Sequence, residues 1–188
     1  THREIVPIID FTPKERPIQE KYVCISMYST SQCKLWYYWQ DVINFLISQG
    51  YKVLEISKEN DMMGQRTSDL KGISELEDKS IENTMNTIYH SDFFIGLSSG
   101  LSWLSYALRK RVYLISNFTN KEHEFTINTI RFYDESICNS CWNNPKFRFD
   151  KGNWNWCPEH EDTPRHFECH KLITSDKVIK AIQQNEKL

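Results

Sequence analysis

Four cysteines stand close together in this chain: Cys138, Cys141, Cys157 and Cys169. Cys138-Asn-Ser-Cys141 is a C-x-x-C turn, whose two-residue spacer lets two sulfurs approach one ion. Cys157-Pro158 offers a second turn, and Cys169 closes a tetrathiolate set. Four thiolates suit iron or zinc, and ligand chemistry alone does not choose between them. His160, His166 and His170 flank the thiols and can each replace one. Four sulfurs already complete a tetrahedron, however, so the site reads as closed and structural. Trp142, Phe147, Phe149, Trp154, Trp156 and Phe167 crowd the same stretch.

A second stretch carries different chemistry. Gly96-Leu-Ser-Ser-Gly-Leu-Ser-Trp103 lies where a strand gives way to a helix. In an open parallel sheet, that boundary is the ligand-binding edge. The first-turn N–H groups of a helix lack intrahelical partners and carry partial positive charge, so they suit a phosphate. Ser98, Ser99 and Ser102 add hydroxyls, Leu101 sits in the same turn, and Gly100 lets the backbone approach closely. The same residues would also make a serine-capped turn with no ligand. Lys34, in the loop after the first strand, can set a compact ammonium against a diphosphate. Glu55, near the end of the second strand, can accept hydrogen bonds from ribose hydroxyls. Asp10, Asp61 and Asp69 form no evident carboxylate pair, and no nucleophile triad is apparent.

The elements that must position these residues follow from the apolar pattern. Tyr22 to Met27 is an almost wholly apolar run, suited to a strand covered on both faces. Leu35, Trp36, Trp39, Val42, Ile43, Leu46 and Ile47 recur at helical spacing, with Gly50 placed to end the helix. Tyr51 to Ile56 makes a second strand, so this is a βαβ unit of a parallel sheet. Residues 58–73 read as a loop, and Asp78 or Ser80 can cap a helix over Ile81 to Tyr89. Ser91 to Gly96 and Arg111 to Ile115 are further strands, with a helix from Trp103 to Arg109 between them and a short strand, Thr129 to Tyr133, beyond. Thr174 can cap a last helix from Lys177 to Gln184.

The expected class is therefore α/β, a Rossmann-like parallel sheet with a four-cysteine finger and a C-terminal helix. The expected divisions are a connector over 1–21, a Rossmann-like ligand-binding unit over 22–134, the finger over 135–172 and the last helix over 173–188. A net charge of -2 gives no global case for nucleic acid or an anionic membrane. One local alternative is a nucleic-acid-binding finger. Lys146, Arg148 and Lys151 interleave with Phe147, Phe149, Trp154 and Trp156, which can stack bases, although Glu159, Glu161, Asp162 and Glu168 oppose it. No apolar run approaches the roughly 20 residues that span a bilayer. Clustered thiols without a signal-peptide pattern point to a reducing cytoplasm, and Cys24, in an apolar run, reads as a buried thiol.

Several stretches resemble one family. Asp69-Leu-Lys-Gly72 with Ser91-Asp-Phe-Phe-Ile-Gly-Leu-Ser-Ser-Gly100 is similar to the carboxyl-terminal nucleotide-sugar domain of GT-B heptosyltransferases. Asp10 to Pro17, Lys34-Leu-Trp36, Phe94 to Leu104 and the four-cysteine unit with Asp150 to Cys157 resemble the bacterial autotransporter heptosyltransferases more specifically. The likeness runs from about Ile9 to Ile182. It implies transfer of heptose from ADP-heptose to serines of an autotransporter adhesin. It implies that Lys34 meets the donor diphosphate and that Ser98, Ser99, Gly100, Leu101 and Ser102 hold the phosphates. It also implies an iron-binding finger at the four cysteines that helps assemble a large homo-oligomer. In that family the catalytic aspartate and the acceptor groove belong to a preceding half, which nothing before residue 20 can supply. Without them, the alternative is an assembly module with no transferase activity.

Overall fold

The computed structural model describes residues 4–62, 64–147 and 157–188. Eight strands occur among them: β1 (Tyr22–Ser26), β2 (Lys52–Glu55), β3 (Asp61–Met62), β4 (Gln65–Arg66), β5 (Ile73–Glu75), β6 (Phe94–Leu97), β7 (Val112–Ile115) and β8 (Thr129–Phe132). The helices are α1 (Trp39–Ser48), α2 (Ile81–His90), α3 (Gly100–Ala107), α4 (Glu168–Lys171) and α5 (Ser175–Glu186). Six strands form one sheet in the order β5-β2-β1-β6-β7-β8, every pairing parallel. The remaining two, β3 and β4, make a small antiparallel hairpin.

Alternation along the strands sorts two apolar layers. Val23 and Ile25 face α1 and α5, packing with Trp36, Trp39, Val42, Val178 and Ile182. Tyr22 and Cys24 face the other way, with Leu54, Ile88, Phe94, Tyr106 and Leu114. Runs covered on both faces read as continuous apolar stretches because both parities are buried. The thiol of Cys24 is fully buried, as its surroundings led us to expect. Residues 4–21 lie along the second layer, where Val6 and Ile18 pack. The Lys14 amide donates to Asn86 Oδ1 and the Arg16 guanidinium to the His90 carbonyl, while Glu4 accepts from Tyr106 and Thr126.

Three differences from the sequence reading matter. The 58–73 stretch holds the β3–β4 hairpin and leads into β5, which extends the sheet past β2. Helix α1 begins at Trp39, after a 3-10 turn over Gln32–Lys34. Helix α3 begins at Gly100 rather than Trp103, which places Ser102 inside the helix. The chain progresses outward from β1 through β2 to β5, then returns to β6 on β1's other side. That reversal is a topological switch point, and its crevice opens at the carboxyl ends of β1 and β6.

Candidate donor site and thiol finger

A cavity of about 610 Å³ occupies that crevice, within the roughly 300–1,000 Å³ usual for small-ligand sites. The loop after β1 supplies Tyr28, Ser29, Thr30 and Lys34, and the turn after β6 supplies Ser98, Ser99, Gly100 and Leu101. The Lys34 ammonium donates to the Ser98 carbonyl at 3.3 Å, bridging the two loops. Burial lowers the Lys34 pKa, and the nearby Cys33 and Glu124 offset part of that. Ser99 is the N-cap of α3, yet its hydroxyl makes no cap bond and is buried without a partner. The first turn of α3 contains no acidic side chain. A Cβ placed on Gly100 would meet nothing within 4 Å, so the glycine faces open space rather than protein. Together these features make an anion cradle: free first-turn amides, an uncommitted hydroxyl and one ammonium opposite.

Two expected donor contacts face away from the cavity. Glu55 is fully buried and accepts from the amides of Met27 (3.1 Å) and Ser57 (2.7 Å). It shares β2's inner face with Val53, so its carboxyl anchors the ends of two strands instead of reaching a ribose. Burial raises its pKa to about 7, against the pull of those amides. The Ser102 hydroxyl turns back to the Leu97 carbonyl at 2.5 Å. Gly96 makes room for this, since a Cβ there would lie 2.7 Å from that hydroxyl and 2.5 Å from the Phe94 ring.

The structure also brings in residues without a sequence signal. Glu59 lines the cavity with Ser57, Ile81 and Leu104, an apolar slot bearing one carboxylate. Glu124 lies behind Ser98, and its Oε1 accepts from Ser98 Oγ (2.5 Å) and Thr119 Oγ1 (2.8 Å). Nothing about the Lys121-Glu-His-Glu124 loop announced this, because the contact depends on how the loop folds.

The finger docks beside this edge. Cys33, which precedes Lys34, joins Cys141, Cys157, Phe118 and Phe167 in one buried cluster. Burial raises the pKa of Cys138 and of Cys33 to about 11 and pushes Cys141 and Cys169 up as well. Neighbouring thiols raise them further, as groups close enough to repel as anions must, and a bound cation would relieve that repulsion. By their chemistry the four thiols are candidate ligands, but among the described residues no three of their sulfurs lie within 4.8 Å of one another. Among the described residues, the donor atoms that lie within 4.8 Å of one another are those of Cys138, His160 and Glu168. Glu168 is committed elsewhere: its carboxylate pairs with Arg165 and accepts from the Cys138 amide, and the arginine holds its pKa down to about 2. His170 is buried, which keeps its ring neutral with a pKa of about 4. His166 packs edge-on against Phe167. Arg148, Phe149, Lys151, Trp154 and Trp156 lie outside the described residues.

Comparison with known proteins now bears on the site. Residues 9–156 match the family model for glycosyltransferase family 9 (heptosyltransferase). The chain belongs to that family. It is 38% identical to the autotransporter heptosyltransferase Aah of Escherichia coli over 90% of its own length and 44% of Aah. It is 31% identical to BimC of Burkholderia thailandensis, described as an inactive autotransporter heptosyltransferase, over 96% of this chain and 44% of BimC. The solved structure of TibC, a dodecameric iron-containing heptosyltransferase in complex with ADP-D-beta-D-heptose, superposes with a TM-score of 0.89 at 36% identity. That match covers 98% of this chain and 49% of TibC. This family 9 chain thus spans about half the length of the relatives it matches. The parallel six-stranded architecture is that of a Rossmann-like α/β fold, as the sequence pattern anticipated. No helix among the described residues is long and apolar enough to cross a membrane.

Proposed function

We propose that this chain is the donor-binding half of a protein O-heptosyltransferase that takes heptose from ADP-heptose for serines of an autotransporter adhesin. The observation that supports it most directly is the meeting of Lys34 with the Ser98–Leu101 turn across the switch point. The likeness to TibC, solved with ADP-D-beta-D-heptose, agrees with that placement. The reaction is direct displacement at the anomeric carbon, with ADP leaving. First-turn amides of α3, the Ser99 hydroxyl and the Lys34 ammonium stabilise the departing diphosphate. Ile81, Leu101 and Leu104 offer an apolar slot for the base. Glu59, on the cavity wall, takes over the ribose role expected of Glu55. The general base that activates the acceptor hydroxyl belongs to a second half.

In this reading, residues 22–134 form the donor-binding unit and residues 135–172 the finger. Cys138, Cys141, Cys157 and Cys169 hold iron, with zinc as the alternative, and the ion when bound supplies a structural cross-link. TibC is described as iron-containing and dodecameric, which supports iron and homo-oligomeric assembly here. Thiol ligation suits a reducing cytoplasm. A ferric tetrathiolate is coloured and a zinc one is not, so elemental analysis with a visible spectrum decides the metal.

Calorimetric titration of the protein with ADP-heptose and ADP tests the donor site. Binding is expected, with at least a tenfold loss, about 1.4 kcal/mol, on Lys34→Ala. A folded protein that takes up neither ligand overturns the reading. The likeness to BimC, described as inactive, favours one other reading: an assembly module without transfer. Donor binding together with heptose transfer by the full-length protein excludes it.

A further inference from the structure

The finger and the donor cavity share a wall. Lys34 follows Cys33, which is buried among the finger's thiols. The Lys34 ammonium lies 5.7 Å from the centroid of the Phe118 ring and 6.0 Å from that of Trp142. Phe118 belongs to the loop after β7, while Trp142 directly follows the finger cysteine Cys141. The two rings stand 5.5 Å apart at 44°. Backbone bonds fix that pairing, since the Trp142 amide donates to the Phe118 carbonyl at 3.2 Å. On either side, the Ser140 amide reaches the Asn117 carbonyl (2.9 Å) and the Asn120 amide reaches Asn143 Oδ1 (2.8 Å). Residues 140–143 are thus zipped along residues 117–120.

A lysine side chain has four rotatable bonds, and ordering it costs side-chain entropy. One carbonyl at 3.3 Å sets a direction for Lys34 but does not confine it. Two ring faces at the limit of cation–π range add a wall that attracts the charge without competing for its N–H donors. Those donors stay available to a diphosphate, and the ordering is complete before the ligand arrives.

We propose that Trp142 and Phe118 are positioning residues for Lys34, and that the finger, by fixing Trp142 next to Cys141, sets the affinity of the cavity for a nucleoside diphosphate. The finger then acts on the donor site within one chain, apart from any part in assembly. This rests on the donor-site reading above. It also predicts that loading metal at the four thiols strengthens nucleotide binding.

The test uses the metal-loaded protein, with metal content measured for every variant. Calorimetric titration with ADP is expected to show Trp142→Leu weaker by about fivefold and Trp142→Phe within about twofold of wild type, the scale of one cation–π contact. The double variant Lys34→Ala/Trp142→Leu should bind no more weakly than Lys34→Ala alone, because a contact already removed cannot be lost again. A second readout needs no ligand. Acylation of Lys34 by a small water-soluble reagent, mapped by peptide mass spectrometry, should speed up several-fold in Trp142→Leu and after chelation, with lysines outside residues 135–172 otherwise unchanged. If Trp142→Leu loses its metal, Phe118→Leu, outside the finger, carries the same two expectations. Wild-type affinity and labelling in a metal-loaded variant, or fully additive losses in the double variant, overturn the proposal. If wild type binds no ADP, the donor reading fails, and the labelling result alone decides whether the rings position Lys34.

Discussion

The sheet bounds the cavity with strands locked by parallel ladders, and the finger docks beside that edge with almost none. Every residue of β1, β6 and β7 is buried, in register with its neighbours. The described parts of the finger hold one 3-10 turn, Cys141–Asn143, and the four-residue α4. Three non-glycine residues there, Ser140, Asp162 and Phe167, adopt positive φ angles of 59°, 56° and 55°. Left-handed backbone costs such residues roughly 1–2 kcal/mol each, and a short strip of chain has little apolar burial to offset it. Side-chain bonds and the thiols must do so. One region should therefore hold its shape without an ion and the other should not.

The largest expected effect tests that contrast directly. Chelation, or Cys157→Ser, would remove the proposed metal, and metal binding in small thiolate and histidine fingers amounts to roughly 10 kcal/mol or more. Limited proteolysis should then cut within 135–172, while the sheet's thermal midpoint moves by less than about 4 °C. Simultaneous loss of both regions would mean that they fold as one unit. The converse perturbation is Phe94→Ala, at the fully buried first residue of β6. It should cost about 3–5 kcal/mol, read by denaturant titration. The finger should unfold with the sheet, since its docking edge goes too.

A third measurement separates the regions by pH. Glu55 has a pKa raised from 4.5 to about 7 by burial in the sheet. Folding therefore takes up a proton in this window. The stabilisation is complete below about pH 4.5 and declines as pH rises towards 7, by at most about 3 kcal/mol. Glu168, in the finger, is shifted the other way, to about 2 by Arg165. Its contribution is present above about pH 4.5 and fades as pH falls towards 2. The buried His170, with its pKa lowered to about 4, gives an opposite rise over the same window. The stability difference between wild type and Glu55→Gln is therefore the readout, and denaturant titrations should show it falling from pH 4.5 to 7. An unchanged slope in the variant would take the assignment away from Glu55.

The same division governs what could be read from residues alone. The β1, β2, β6 and β7 runs are apolar on both parities and bounded by turns, so the sheet, its direction and its ligand edge were legible. The placement of Lys34, Ser98, Ser99, Gly100 and Leu101 on the cavity at that edge was legible too, because strand-to-helix boundaries fall there. Strand β5, Ile73-Ser-Glu75, escaped notice since two half-covered residues and one exposed one on an edge strand carry no alternation. Glu55 looked solvent-facing only as a lone acid at a strand end. Its parity with the buried Val53 is the clue that places it inside. Glu59, Glu124 and the approach of Cys33 to the finger depend on loop paths, for which no periodicity exists. The cysteine spacing offered four candidate ligands but carried no information about where the finger docks.

Asn117 sits on the seam between the two regions, and its loss should have the smallest effect, though the most specific one. It is fully buried at the end of β7. Its Nδ2 donates to the carbonyls of Cys138 (3.0 Å) and Asp134 (3.4 Å), and its Oδ1 accepts from the Asp134 amide at 2.8 Å. An alanine there leaves those three backbone groups beside a small void, which should cost about 2 kcal/mol. Because the partners flank Cys138, the first of the four clustered cysteines, the cost should fall on docking. Hydrogen exchange is expected to rise at Asp134 and Ser140 with little change in β1 or β6. Asn117→Asp keeps the acceptor but loses both donor bonds and faces two carbonyl oxygens with a carboxylate. It should therefore be at least as disruptive as alanine above neutral pH and milder when protonated. If exchange instead rises uniformly along the sheet, Asn117 is part of the sheet's own stability and the seam lies elsewhere.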